Sequence, residues 1–95
     1  MPAYTLILTK RFRKDIRKLQ RSHYYDLRTL QEAIDTLAQG RQLSVQYRDH
    51  PLRGNLVGRR ECHLAPDWLL VYRKCERTLV LILLRTGSHA DVFSE

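Results

Sequence analysis

The sequence predicts an α+β fold in which two N-terminal helices pack on a mainly antiparallel four-stranded sheet, in the order β-α-α-β-β-β. Two observations predict this class. Apolar residues recur at helical spacing between residues 10 and 40, and three apolar runs with short connections follow after residue 55. The chain has 95 residues, so we expect one domain spanning 1–95 with a single modest core.

The first two elements are a short strand and an amphipathic helix. Residues 4–8 form a run of aromatic and β-branched side chains, which is typical of a strand. Phe12, Ile16 and Leu19 then recur at helical spacing, with basic residues on the other faces. This pattern predicts a helix over residues 10–20.

A second helix follows, and the sequence marks both of its ends. Ser22 is the predicted N-cap, because serine hydroxyls accept hydrogen bonds from the free N–H groups of a first turn. Gly40 stands where a left-handed residue ends many helices. Between them runs an apolar stripe formed by Leu27, Leu30, Ile34 and Leu37.

A long loop and three strands complete the chain. Residues 41–55 lack a periodic pattern and contain Pro51 and Gly54, which predicts a loop. Connections of this length without regular structure are usually functional or mobile. The strand-like runs at 56–64, 68–73 and 78–85 are separated by three or four residues. Such short connections favour hairpins, so we expect an antiparallel meander.

The meander brings chemistry-bearing residues to one edge of the sheet. In consecutive hairpins, the end of the first strand, the start of the second and the end of the third lie together. That edge gathers His63, Asp67, Trp68, Arg85 and His89. The strand pattern does not place His50, which lies in the preceding loop.

The charge balance indicates an anionic partner. Seventeen Lys and Arg against ten Asp and Glu give a net charge of +7 and an isoelectric point near 9.9. Nucleic acid, an acidic protein and an anionic membrane surface all fit such a field. The longest apolar run, at 79–84, is too short to cross a membrane. The order of apolar and basic residues near the N-terminus is the reverse of a signal peptide, so we expect a cytoplasmic protein without a membrane partner.

The edge residues suit metal-free RNA cleavage. Histidine can take a proton from a 2′-hydroxyl and give one to the leaving 5′-oxygen, because its charge changes near neutral pH. Arginine holds a phosphate through a planar fork of N–H groups. An aspartate can orient a histidine, and an aromatic ring can stack on a displaced base.

These residues also have inert interpretations. His63 can cap a strand, Asp67 is a common turn residue, and Trp68 is most often a core residue. Phe93 can pack back against the body to fix the end of the chain. A solvated basic surface would account for Arg53, Arg59 and Arg60.

Metal binding is the competing chemistry. The permissible ligands are Cys62, His63, Asp67 and His89, to which His50 can be added, but their spacing matches no CxxC or HExxH pattern. As neighbours on one strand, Cys62 and His63 point to opposite faces. We therefore expect no metal site, and we expect Cys62 and Cys75 to be reduced thiols.

Three blocks of sequence carry a family resemblance. They are YRDHPLRG at 47–54, ECHLAPDWLLVY at 61–72 and RTGSHADVF at 85–93. With them the chain resembles the YafQ-type toxins of the RelE/ParE superfamily, which are ribosome-dependent mRNA interferases of bacterial type II toxin-antitoxin pairs. The resemblance covers nearly the whole chain and implies a RelE-like fold.

The resemblance also implies roles and partners. The toxin would enter the ribosomal A site and cut the mRNA codon there, with no cofactor. Arg85 would steady the phosphate and Phe93 would stack near the cut. A cognate antitoxin would silence the toxin, and operator DNA would be bound only through the antitoxin complex. Acid-base work and positioning would be shared by His50, His63, Asp67 and His89, with His89 favoured as proton donor. Further RNA contacts would come from Trp68, Arg53, Arg59 and Arg60.

Two alternatives remain open on the sequence alone. One is a non-enzymatic toxin resembling the ParE branch, which inhibits DNA gyrase by binding. The other is a small basic nucleic-acid-binding module with incidental histidines. The histidine set discriminates among the three functions, because a binder has no need of His50, His63 and His89 around Asp67 and Arg85.

Overall fold

A computed structural model describes residues 3–93 of the chain. It contains five strands and three α-helices in this part, and the strands form one sheet in the order β1-β5-β4-β3-β2. β1 runs parallel to β5, and the other neighbours are antiparallel. The elements are β1 (Thr5–Leu8), α1 (Lys10–Ser22), α2 (Leu27–Ala38), β2 (His50–Pro51), β3 (Arg60–Ala65), β4 (Trp68–Cys75), β5 (Val80–Gly87) and α3 (His89–Phe93).

The predicted fold class is confirmed, with two corrections to the sheet. The sheet has five strands rather than four, because the two-residue strand β2 pairs with β3 from within the predicted loop. A strand this short has no periodic pattern to detect. The strand predicted to begin at residue 56 begins at Arg60 instead, since Gly54–Leu56 is a 3-10 turn and Gly58 has a φ of +94°.

The ends of the helices follow local hydrogen bonding. Ser22 does not cap α2 as predicted; it is the last residue of α1, and its hydroxyl donates to the Leu19 carbonyl at 3.0 Å. Asp26 takes the cap position and accepts from the Arg28 backbone N–H. The prediction for Gly40 is confirmed: it has a φ of +76° and lies just beyond the end of α2.

The two long helices cover one face of the sheet. Phe12 and Leu19 of α1 and the apolar stripe of α2 form a cluster with the inward side chains of β3, β4 and β5, among them Cys62, Leu70 and Leu83. Strand residues alternate between faces, so the intervening residues point to the opposite side. That second face carries the candidate site. No helix within residues 3–93 has the length and apolar composition needed to cross a membrane.

Thr9 joins β1 to α1 and fixes where the helix begins. Its Oγ1 accepts from the Phe12 N–H at 3.0 Å and donates to the Leu83 carbonyl at 3.1 Å. We expect Thr9→Ala to lower the free energy of unfolding by about 1 kcal/mol, as loss of a helix cap does. Urea unfolding followed by circular dichroism measures this. Thr9→Ser keeps the hydroxyl and is the control; an equal loss in both variants would contradict the capping role.

Candidate active site

His50, Glu61 and His63 form the first part of the site. His50 in β2 lies directly opposite Glu61 in β3, and His63 is two residues further along on the same face. The Glu61 Oε2 lies 3.0 Å from the His50 Nε2 and 3.6 Å from the His63 Nε2. One carboxylate oxygen thus faces both imidazoles.

Glu61 is unusual because it is charged and buried. The residue is only 7% exposed, and its Oε1 has no hydrogen-bond partner within the described part of the chain. Buried carboxylates are normally fully paired. The partners of this one within the described residues are the two histidine rings that face its other oxygen.

Both ring nitrogens of His50 face oxygen atoms. Its Nδ1 lies 3.1 Å from the Pro51 carbonyl oxygen, while its Nε2 faces the Glu61 carboxylate. A carbonyl and an ionised carboxylate can only accept hydrogen bonds, so both contacts are satisfied together only when both ring nitrogens donate. The pocket accommodates the imidazolium that forms when His50 takes up a proton.

Asp67 and His89 form the second carboxylate–histidine pair. The Asp67 Oδ1 accepts from the His89 backbone N–H at 2.9 Å and lies 2.7 Å from the His89 Nδ1. The backbone hydrogen bond, followed by the side-chain one, lowers the pKa of the Asp67 carboxyl. An ionised carboxylate only accepts, so Nδ1 carries the hydrogen and Nε2 is left as the ring nitrogen that can exchange a proton.

The three imidazoles lie in a row on the open face of the sheet. The ring centroids of His50 and His63 are 6.3 Å apart, and those of His63 and His89 are 5.6 Å apart. His63, in the middle, is the most enclosed, while the outer two side chains are about half exposed. A phosphodiester lying along this row would have a proton-accepting group on one side and a proton-donating group on the other.

Arg85 lies in the same register row as Glu61, but its guanidinium turns toward α1 and α3. Its Nε and Nη2 donate to the Asp15 carboxylate at 2.8 and 3.3 Å. Nη1 donates to the Val92 carbonyl at 3.2 Å, and Nη2 also donates to the Asp91 carbonyl at 3.1 Å. Four of the five N–H groups are thereby used, so only one on Nη1 is left for a phosphate.

Phe93 and the predicted RNA-contacting arginines have different surroundings. Phe93 ends α3, is 41% exposed, and lines a cavity together with Arg59. Arg53 and Arg59 are exposed. Arg60 is held by Asp49, with its Nε donating to the Asp49 Oδ1 at 3.2 Å. Phe93, Arg53 and Arg59 are therefore accessible to RNA, and Arg60 is partly occupied within the protein.

Trp68 does not have the position predicted for a substrate-stacking ring. It is 4% exposed, its Nε1 donates to the Thr86 hydroxyl at 3.0 Å, and its ring packs against Tyr25 at 4.9 Å between centroids. A ring enclosed on both faces cannot receive a base. The inert interpretation is the correct one here, because Trp68 faces the helices rather than the histidines.

Sequence reasoning missed Glu61 and Asp15. Glu61 lies in a strand, and charged strand residues usually point to solvent. The alternation of residue types along the strand therefore did not mark Glu61 as buried. Asp15 lies among basic residues on α1, and its partner Arg85 is 70 positions away in the sequence. The one available signal for Asp15 was that it is the only acidic residue in the run KRFRKDIRK.

The first part of the site also has the composition of a metal-binding group. Ligand atoms of His50, Glu61 and His63 lie within 4.8 Å of one another, and imidazole and carboxylate suit divalent transition metals. No short ligand motif in the sequence marks this group, because its members come from two different strands, β2 and β3. A metal bound there would occupy the ring nitrogens needed for proton transfer.

Comparison with known proteins gives the family. A family model described as "Bacterial toxin of type II toxin-antitoxin system, YafQ" matches residues 4–94. The "mRNA interferase toxin YafQ" of Escherichia coli strain K12 is 35% identical over 83 residues, which are 86% of this chain and 87% of the relative.

Solved structures agree with the sequence match. A metal-bound toxin from Helicobacter pylori is 41% identical with a TM-score of 0.84, and the match covers 95% of this chain and 99% of the other. The toxin in the DinJ-YafQ toxin-antitoxin complex of E. coli is 31% identical with a TM-score of 0.87, over 97% and 99% of the two chains. The resemblance in the three sequence blocks is thus confirmed across the described residues, and the chain belongs to the YafQ family of toxins from bacterial type II toxin-antitoxin systems.

Proposed function

We propose that this protein is an mRNA interferase that cleaves the codon in the ribosomal A site by metal-independent acid-base catalysis. The observation that carries the proposal is the row of three imidazoles, paired with Glu61 and Asp67, on an open face of a strongly basic protein. The name of the E. coli relative, an mRNA interferase, supports it. Ribosomes act in the cytoplasm, which is where we expect the toxin.

The reaction needs two proton transfers around one phosphorus. The 2′-oxygen loses its proton to a neutral imidazole and forms a bond to phosphorus, while the bond to the 5′-oxygen breaks. The leaving oxygen takes a proton from an imidazolium, which gives a 2′,3′-cyclic phosphate and a 5′-hydroxyl. Histidine suits both steps because it exchanges protons near neutral pH.

The two carboxylates divide these roles between the histidines. Glu61 favours the charged imidazole, so His50 or His63 gains stabilisation as it accepts the proton from the 2′-hydroxyl. Asp67 holds the Nδ1 of His89 and leaves its Nε2 as the ring nitrogen that can exchange a proton, which suits the donor to the 5′-oxygen.

Arg85 supports this chemistry mainly by positioning α3. Its hydrogen bonds to the carbonyls of Asp91 and Val92 anchor the short helix that carries His89. The remaining Nη1 N–H is the group that contacts the phosphate in our proposal. Arg53 and Arg59, both exposed, add positive charge along the RNA.

A cognate antitoxin is the second partner. The E. coli relative is seen in complex with its antitoxin DinJ. We infer that an antitoxin binds this chain too, and that operator DNA is contacted through that complex. The net charge of +7 serves both ribosomal RNA and an acidic antitoxin segment.

The gyrase-inhibiting and simple binding alternatives account less well for the site. A binding surface has no use for a buried carboxylate without full hydrogen bonding, which costs stability. It also has no use for a carboxylate that fixes the tautomer of a histidine. Both features are present, in Glu61 and Asp67.

His89 tests the function directly. We expect His89→Ala to lower the rate of cleavage by roughly a hundredfold or more, the effect of losing a general acid, with affinity for ribosomes retained. Primer extension on an mRNA, with and without translating ribosomes, locates the cuts. His23→Asn, at the end of α1, is the matched histidine control. Folded protein that cuts no mRNA under either condition, but inhibits gyrase supercoiling, would establish the alternative.

A substitution of Glu61 tests its proposed role in proton transfer to His50 or His63. Glu61→Gln keeps the shape and one hydrogen bond but removes the charge, so the protonated imidazoles lose stabilisation. We expect cleavage to slow by roughly tenfold, because charge-assisted hydrogen bonds are the stronger ones. Single-turnover cleavage and urea unfolding measure the effects on rate and on stability separately. Cleavage at the wild-type rate, or a slower rate explained fully by unfolded protein, would mean that Glu61 has no role in proton transfer.

A substitution of Asp15 tests whether the Asp15–Arg85 ion pair stabilises the protein and holds α3. Three N–H donors converge on its carboxylate, two from Arg85 and one from the Thr86 backbone. Asp15→Asn brings an amide N–H against these donors and leaves Arg85 without its counter-charge, so we expect a loss of about 3 kcal/mol in urea unfolding.

Asp91→Asn is the control for Asp15→Asn. It removes only the exposed ion pair between Asp91 and Lys18, whose contribution is typically below about 1 kcal/mol. Equal stabilities of the two variants would show that the Asp15–Arg85 pair is not the anchor.

A further inference from the structure

A cavity of about 560 Å³ lies next to the histidine row on the same face of the sheet. Val71 and Arg85 line it, and both belong to the register row that contains His50 and Glu61. The cavity is therefore within reach of an RNA strand whose scissile phosphate lies at the histidines.

The lining of the cavity has an apolar part, which we call the floor, and a polar, mainly basic part, which we call the rim. The floor consists of Leu52, Leu56, Val71, Leu84 and Val92, and the exposed Phe93 also lines the cavity. Flat, apolar and partly aromatic surfaces are what an unstacked nucleobase packs against.

The charges around the cavity favour a polyanion. Arg11, Arg59 and Arg85 line it, and its described lining contains no Asp or Glu. The larger cavity of about 690 Å³ beside Tyr72 differs, because Asp49 and Glu76 line it together with the basic residues. The smaller cavity is therefore the better place for a nucleotide.

Asn55 is the group at the rim that can read a base edge. Its side chain is exposed and lies in the 3-10 turn Gly54–Leu56, which is closed by hydrogen bonds such as that from the Val57 N–H to the Gly54 carbonyl at 3.2 Å. The other uncharged polar side chain in the lining is Thr9, whose hydroxyl is already used by Phe12 and Leu83. An amide offers one donor and one acceptor side by side, which matches the edge of a nucleobase.

We propose that this cavity is a nucleobase subsite for a codon nucleotide next to the cleaved bond, and that Asn55 determines which codons are cut. The base lies on the apolar floor beside Phe93, the Asn55 amide pairs with its edge, and Arg11 and Arg59 contact the flanking phosphates. The inference rests on the proposed mRNA cleavage and adds the determinant of its sequence preference.

The test compares cleavage at all codons rather than total activity. Wild-type protein and Asn55→Ala are incubated with translating ribosomes on an mRNA carrying a codon library, and the new 5′ ends are sequenced. We expect cutting at the preferred codons to fall roughly tenfold, the discrimination of one paired amide, while cutting at other codons persists. Asn55→Asp, which retains only acceptors, should shift the preference toward bases that present donors.

Control variants separate base reading from other effects. Gln20→Ala removes an exposed amide on α1, away from this face, and should leave the preference unchanged. Phe93→Leu should weaken cutting at all codons alike, because stacking is tolerant of sequence. An Asn55→Ala protein with wild-type preference, or with uniformly reduced cutting, overturns the assignment. Wild-type protein that cuts no mRNA contradicts the proposed function itself, which is a distinguishable result.

Discussion

The ion pair between Asp15 and Arg85 joins three elements that carry the site. Asp15 on α1 is 8% exposed and accepts from both the Arg85 guanidinium and the Thr86 backbone N–H of β5. The same guanidinium holds the last carbonyls of α3. A five-residue helix has no stability of its own. The position of His89 therefore depends on a charge pair that lies outside the histidine row.

The two carboxylate–histidine pairs differ in how firmly they are held. Glu61 is buried between strands, so His50 and His63 are attached to a rigid sheet. Asp67 and His89 are both exposed, and they join the β3–β4 turn to α3. In the proposed mechanism, the proton acceptor is thus on the rigid sheet and the proton donor is the more exposed group. The buried charge of Glu61 costs stability, which is acceptable only where it supports function.

The fold class and the grouping of three site residues could be predicted, because both follow from local patterns in the sequence. Pairing the last three strands as hairpins predicts that His63, Asp67 and His89 lie close together. In the structure the His63 ring lies beside the His89 ring, and His89 contacts Asp67. Trp68 was ambiguous because β4 is buried on both faces, so alternation does not reveal which side a residue occupies. His50 depends on a two-residue strand, and the partners of Glu61 and Asp15 depend on tertiary packing. In the sequence, His50 is marked only by the family resemblance and Asp15 only as the single acidic residue of a basic run, and no feature marks Glu61 as buried.

The arrangement of layers leaves the face that carries the histidine row accessible to a large substrate. Both long helices pack on one side of the sheet, where the core cluster lies. Among residues 3–93, the short helix α3 and the loop between β2 and β3 lie on the opposite side, and between them the 560 Å³ cavity remains open. More cover would bury more apolar surface and stabilise the domain, but it would close the path along the histidine row. A nuclease that must fit around an mRNA strand keeps this face thinly covered, and the helix-side core and the Asp15–Arg85 pair supply the rigidity that the open face lacks.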